Sequence, residues 1–133
     1  MTTDPLVPTR EAGVLEYAPT QVAAWGDYNN DGAMDIYVSN MFSSAGNRIA
    51  FQQQFQKNAD HKTRAEFQRH ARGNTLLRNQ LGDDSKFIDD SVVSGITLGR
   101  WAWGSKFIDL NNDGWQDLVV ANGFVTEEDT GDL

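Results

Sequence analysis

Two nine-residue stretches carry oxygen-bearing side chains at a spacing suited to a hard cation. Asp27-Tyr28-Asn29-Asn30-Asp31-Gly32-Ala33-Met34-Asp35 and Asp109-Leu110-Asn111-Asn112-Asp113-Gly114-Trp115-Gln116-Asp117 both read Asp-x-Asn-x-Asp-Gly-x-x-Asp. Calcium is held by several carboxylate and carbonyl oxygens, and positions 1, 3 and 5 supply them here as Asp27, Asn29 and Asp31, or as Asp109, Asn111 and Asp113. Glycine at position 6 permits the sharp turn that folds those oxygens inward. Position 7 offers a backbone carbonyl, so Ala33 and Trp115 are free to differ as side chains. Asp35 and Asp117 add the last carboxylate at position 9. Three carboxylates within nine residues repel one another unless a cation compensates, which a plain Asp-Asn-Gly turn does not require. Two calcium sites are therefore expected. Magnesium suits the loops less well, because it prefers a compact octahedron that retains waters.

The residues after each loop decide its type. An EF-hand needs a bidentate Glu at position 12 and a following helix. Position 12 is Val38 in one copy and Val120 in the other. Ile36-Tyr37-Val38-Ser39 and Leu118-Val119-Val120-Ala121 have strand composition. Gln21–Gly26 and residues 103–109 are the expected strands entering the loops; Met34–Asn40 and residues 117–122 are the strands leaving them. The likeness extends beyond the loops: at an offset of 82 residues Gly13-Val14 matches Gly95-Ile96, Trp25 matches Phe107, and Asn40 matches Asn122. A repeat of this length implies stacked supersecondary units.

These residues resemble FG-GAP/VCBS-type repeats, closest to the ASPIC/UnbV-associated, cartilage acidic protein-like group. The two loops with their flanks, Trp25–Asn40 and Phe107–Asn122, carry the resemblance. So do Gly73-Asn74-Thr75-Leu76-Leu77-Arg78-Asn79-Gln80 with Phe87-Ile88-Asp89, and Gly99-Arg100-Trp101-Ala102-Trp103-Gly104. Together they cover about two thirds of the chain. Two departures stand out: Gly82-Asp83-Asp84-Ser85 replaces the family's G-D-G turn, and some thirty residues are inserted after the first loop. The resemblance implies a mainly β chain forming part of a calcium-bearing β-propeller. Such propellers commonly lie outside the cytoplasm and serve as adhesion or binding scaffolds for a protein or carbohydrate ligand, without catalysis.

The 133 residues are fewer than a whole propeller of this repeat length needs. About one full blade plus parts of two others is expected, with neighbouring blades as partners. The units run over about 13–94, carrying an insertion at 41–72, and 95–133, which is incomplete. The insertion breaks the β pattern and is expected to be a helical hairpin near 46–72. Ile49, Phe51 and Phe55 mark a first helical face, with Phe51–Phe55 its clear i, i+4 pair. Phe67 and Ala71 have the same spacing in a second helix near 61–71, with Asp60 as N-cap and Gly73 as its stop. Residues 74–79 and 85–89 read as outer strands joined at Gly82-Asp83-Asp84, and 91–102 cross to the next blade.

The net charge of -8 is unevenly spread. Arg48–Arg78 holds seven basic residues and two acids, giving +5 and leaving -13 elsewhere. Nucleic-acid binding by the whole chain is disfavoured by that balance. The absence of cysteine excludes disulfides, thiolate metal sites and a cysteine nucleophile. No signal peptide and no membrane span are recognisable. Trp25, Trp101, Trp103 and Phe107 are expected to pack between blades rather than to stack on a ligand, and Trp115 is the candidate for exposure. His61 and His70 read as surface residues, and Asp129-Thr130-Gly131 lacks the apolar flanks of an aspartic-protease site. No catalytic residue is assigned. The alternative is a propeller belonging to an extracytoplasmic enzyme, and it would rest on acids outside the loops: Asp83, Asp84, Asp89 and Asp90.

Overall fold

The computed structural model describes residues 12–14, 20–81 and 86–123. The expected turn at 82–85, the acidic tail and most of the first 20 residues lie outside them. β1 (Thr20–Gly26), β2 (Asp35–Asn40), β3 (Thr75–Asn79) and β4 (Phe87–Asp89) form one antiparallel sheet in the order β1-β2-β3-β4. β5 (Ala102–Ile108) and β6 (Asp117–Asn122) form a second, two-stranded antiparallel sheet. The chain is thus mainly β, as expected, and its first sheet is a consecutive meander.

β2 is buried at all six positions, because its alternating side chains serve two different packing layers. Ile36 and Val38 face one way and pack with Leu77, Val14 and Phe87. Tyr37 faces the other way and packs with Leu76 and Phe107, joined by Ala24, Tyr28, Ile96, Leu118 and Val120. That second layer is the seam between the sheets. Tyr37 and Phe107 meet edge to face across it, their ring centroids 6.4 Å apart. Gly26 makes the approach possible, since a Cβ there would overlap the Phe107 ring and the Gln116 amide oxygen.

The insertion between β2 and β3 contains α1 (Ser44–Ala50) and α2 (His61–Ala71), which pack against each other. Asp60 is the N-cap of α2 and accepts from the Thr63 amide at 2.7 Å. Arg69 lies in its last turn, where positive charge complements the helix dipole. The first helix corrects the sequence reading. It begins before Gly46, capped by Ser43, and stops at Ala50 with Phe51 as C-cap. Phe51 and Phe55 therefore share no helical face. Residues 51–59 instead form successive turns, with Gln56 at φ 47°. Phe55 packs edge to face on Phe67 at 5.5 Å, so a contact with α2 overrides continuation of α1.

The registers of the two loop-bearing strand pairs correspond at an offset of 82 residues. β1 and β2 pair as Gly26–Asp35, Trp25–Ile36, Ala24–Tyr37, Ala23–Val38, Val22–Ser39 and Thr20–Asn40. Adding 82 to each number reproduces the β5–β6 register, including the irregularity between the last two pairs. Gly13 and Gly95 share a positive φ, at 79° and 69°. Val14 packs on Ile36 and Val38 of sheet one, while Ile96 packs beside the equivalent Leu118 and Val120 of sheet two. The Ile36–Val38 face of the first sheet therefore lies away from the seam, whereas Leu118 and Val120 of the second sheet lie in it.

Candidate metal loops

The two nine-residue stretches form the β1–β2 and β5–β6 connections and fold alike, bond for bond. In the first, Asp27 accepts the Asp31 amide on Oδ1 at 3.0 Å and the Gly32 amide on Oδ2 at 2.9 Å. Asn29 Oδ1 also accepts the Asp31 amide, and Asp31 Oδ1 accepts the Ala33 amide at 2.9 Å. In the second, Asp109 takes the Asp113 and Gly114 amides at 3.1 and 2.9 Å. Asn111 takes the Asp113 amide and Asp113 takes the Trp115 amide at 2.8 Å. Position 9 closes each turn: Asp35 Oδ2 accepts the Tyr28 amide at 3.3 Å, and Asp117 Oδ2 accepts the Leu110 amide at 3.0 Å. Asn30 and Asn112 sit at φ 53° and 58°, and Gly32 and Gly114 at 89° and 87°. Asparagine tolerates the left-handed region, whereas the larger positive φ of the following turn favours glycine.

The loops differ in their surroundings. Asp35 is fully buried and Ala33 nearly so, whereas Trp115, the counterpart of Ala33, is 54% exposed. Burial pushes the Asp35 carboxyl above its usual range; hydrogen bonds from the Asn79 and Tyr28 amides oppose this, and the nearby charges of Asp31 and Asp27 add to it. The loops lie side by side, and the Asn30 side-chain amide donates to the Gly114 carbonyl at 3.0 Å.

The donor chemistry fits a hard cation, since Asp27, Asn29, Asp31, Asp35 and the Ala33 carbonyl, with their counterparts in loop two, offer only oxygen. The side chains are turned toward the loops' own amides, and Asn29 and Asn111 each aim their Nδ2 at the neighbouring Asp at 2.8 Å. Among the described residues, no three or more His, Cys, Asp or Glu side chains converge closely enough to hold an ion. The carboxylates of each loop are thus satisfied by backbone amides, Asp35 on both oxygens.

Other candidates have structural tasks. Asp89 is held by Arg69 at 3.0 Å, by Arg72 at 2.7 Å and by the Ser91 hydroxyl. Burial pushes its carboxyl up, but the Ser91 and Arg72 hydrogen bonds and the Arg72 charge outweigh that and hold it low. Asp90 accepts the Tyr28 hydroxyl at 2.6 Å and lies 3.6 Å from Arg78. The Tyr28 phenol is pushed up to about 12 by burial and by its bond and proximity to Asp90. Asp83, Asp84 and the Asp129–Gly131 triplet lie outside the described residues.

Of the aromatics expected to pack between sheets, Phe107 is in the seam. Trp25 is 58% exposed and touches Phe87 edge to face, and the rings of Trp101 and Trp103 meet at a tilt with their centroids 6.0 Å apart. His61 is exposed, and half-buried His70 joins Thr63, Glu66 and Phe67 in lining an open cavity of about 280 Å³ on α2. The sequence reading missed the polar clamp on β3. Asp35 Oδ1 accepts the Asn79 amide at 2.8 Å, and Asn79 Nδ2 donates to the Met34 carbonyl. Asn40 donates its amide to Asn74 Oδ1 at 2.8 Å and its side-chain nitrogen to the Gly73 carbonyl at 2.9 Å. The match of Asn40 to Asn122 was the visible signal.

No family model, no characterised protein and no solved structure was found to match this chain.

Proposed function

We propose that this chain is a calcium-binding segment of an FG-GAP/VCBS-type β-propeller that acts as a non-catalytic scaffold for a protein or carbohydrate ligand. The observation that carries the reading is the identity of the two Asp-x-Asn-x-Asp-Gly-x-x-Asp turns, bond by bond, at equivalent places in two equivalent strand pairs. The ion's task is structural: it offsets the repulsion of three carboxylates and fixes the strand-to-strand connection. An extracytoplasmic setting suits such a site, because weak structural calcium sites fill where calcium is abundant. Engagement of Asp89 and Asp90 in ion pairs and a tyrosine hydrogen bond supports the scaffold reading over an enzymatic one.

Calorimetric titration of calcium into chelator-stripped protein, with thermal melts before and after, tests this. Two sites of micromolar to millimolar strength are expected, with a rise in melting temperature. Asp31→Ala should abolish the heat of one site and Asp113→Ala that of the other. Folded protein that takes up no calcium and gains no stability would make the loops plain turns.

A further inference from the structure

We propose that Asn122 is a site of spontaneous covalent modification: its side-chain amide is lost through a succinimide formed with the Gly123 nitrogen, leaving aspartate and, in larger part, isoaspartate. The reaction involves no metal and does not depend on calcium binding. Asparagine is a thermolabile side chain. It is most labile before glycine, because any larger residue hinders the approach of the following backbone nitrogen to Cγ. The sequence has three Asp-Gly or Asn-Gly pairs: Asp31-Gly32, Asp113-Gly114 and Asn122-Gly123.

In both loops the reaction is blocked twice. The Gly32 and Gly114 amides, which would attack, are each held at 2.9 Å by the carboxylates of Asp27 and Asp109. The groups to be attacked are carboxylates, which lack a good leaving group, and Asp31 and Asp113 are tied to the Ala33 and Trp115 amides. Asn122 escapes both restraints. It is the last residue of β6, it is exposed, and Gly123 lies beyond the strand. No hydrogen bond engages its side chain among the described residues. The Gly123 amide reaches the Trp101 carbonyl only at 3.3 Å, beyond the usual N–H···O range. Asn40, at the same register position of β2, is the protected counterpart. It is fully buried, its side chain is bonded to Thr20 and Gly73, and Met41 follows it. Gly123 lies at φ 135° with open space where a Cβ would be placed, so conformation retains glycine there and keeps the labile pair together.

Water is the only co-reactant. The Gly123 nitrogen gives its proton to solvent base and attacks Asn122 Cγ. The N–Cγ bond forms as the Cγ–Nδ2 bond breaks, and Nδ2 leaves as ammonia. Water then opens the ring, at Cγ to give aspartate or at the main-chain carbonyl to give isoaspartate. Either product replaces a neutral amide with a carboxylate, and isoaspartate also lengthens the main chain by one methylene. That extra length falls just before Gly123, whose amide donates to the Trp101 carbonyl and whose carbonyl accepts the Trp103 indole N–H. The modification therefore loosens the corner where Trp101 and Trp103 meet.

The test incubates the full 133-residue chain in mildly alkaline buffer beside a synthetic peptide of residues 119–125, Val-Val-Ala-Asn-Gly-Phe-Val, which sets the time scale. Acidic species are followed by ion exchange and located by peptide mapping with an isoaspartyl methyltransferase assay. Isoaspartate should accumulate at position 122 ahead of every other asparagine and of both Asp-Gly pairs, and tryptophan emission should change with the same time course. Asn122→Gln, at an exposed position, keeps an amide but requires a larger ring for the same attack. It should abolish the leading acidic species and the emission change. The proposal is overturned if the amide is intact in the folded chain after the peptide has converted, if Asn122→Gln forms the acidic species equally, or if Asp31 or Asp113 isomerises first. Conversion that leaves tryptophan emission unchanged would overturn the loosening of the corner.

Discussion

At the residue scale, one nonamer asks each side chain for a defined task, and substitutions should separate those tasks. Gly32 and Gly114 lie at φ 89° and 87° with open space where a Cβ would be placed, so conformation and not crowding selects glycine. Gly114→Ala should cost about 1–2 kcal/mol by forcing an L-residue into the left-handed region, read as a lower denaturation midpoint at unchanged slope. Gly26 is the contrasting case. Its Cβ would meet the Phe107 ring, which is held in the seam by Tyr37. Gly26→Ala should destabilise by about 1–3 kcal/mol through overpacking, and Phe107→Leu should recover part of that loss. A double-mutant cycle in denaturant checks the coupling, and additive effects would show that the two residues do not share the space. Asp89 supplies the pH dependence. Its carboxyl is held below the unfolded value of about 3.9, so its ion pairs stabilise above that value and fade as pH falls through the folded value. Asp89→Asn should therefore lower stability near neutrality, and the variant and parent melting curves should converge at strongly acidic pH.

At the element scale, the paired strands were legible because two local signals agree: a turn motif with fixed glycine, and β-branched runs on either side. The same agreement placed α2, whose N-cap and length came from Asp60 and the residues after it. α1 was not legible in its extent. Phe51 and Phe55 have helical spacing, but Phe55 is drawn onto Phe67, and that contact joins residues twelve apart in sequence. The bond from Asp35 to Asn79 and the one from Tyr28 to Asp90 were hidden for a similar reason, since each exists only after distant segments have paired. The helical insertion leaves the sheet at Asn40 and returns beside it at Gly73 and Asn74. Because the two ends already meet, replacing 44–71 with a short Gly-Ser turn adds little loop-closure cost. Both sheets should survive, seen as a retained β-type circular dichroism spectrum with the helical component removed. The loss should be confined to the Arg69–Asp89 contact and the packing of α1 on α2.

At the scale of the whole molecule, charge and stacking act together. Outside Arg48–Arg78 the chain carries -13, and six of those acids sit in two loops that touch through Asn30 and Gly114. The loops lie at one end of the sheet seam, so their mutual repulsion opposes the packing of Tyr37 on Phe107 that joins the two units. Two agents should relieve it. Salt screens exposed charges with a Debye length of about 8 Å at physiological ionic strength, and calcium would neutralise the carboxylates directly at each loop. The two treatments therefore compete for the same unfavourable term. Chelator-stripped protein should melt at a temperature that rises with added sodium chloride, while calcium-saturated protein should melt higher and respond to salt much less. The measurement is a grid of thermal melts over salt concentration with and without excess calcium. Equal salt responses in both forms would show that the loop carboxylates do not govern the stability of the stack.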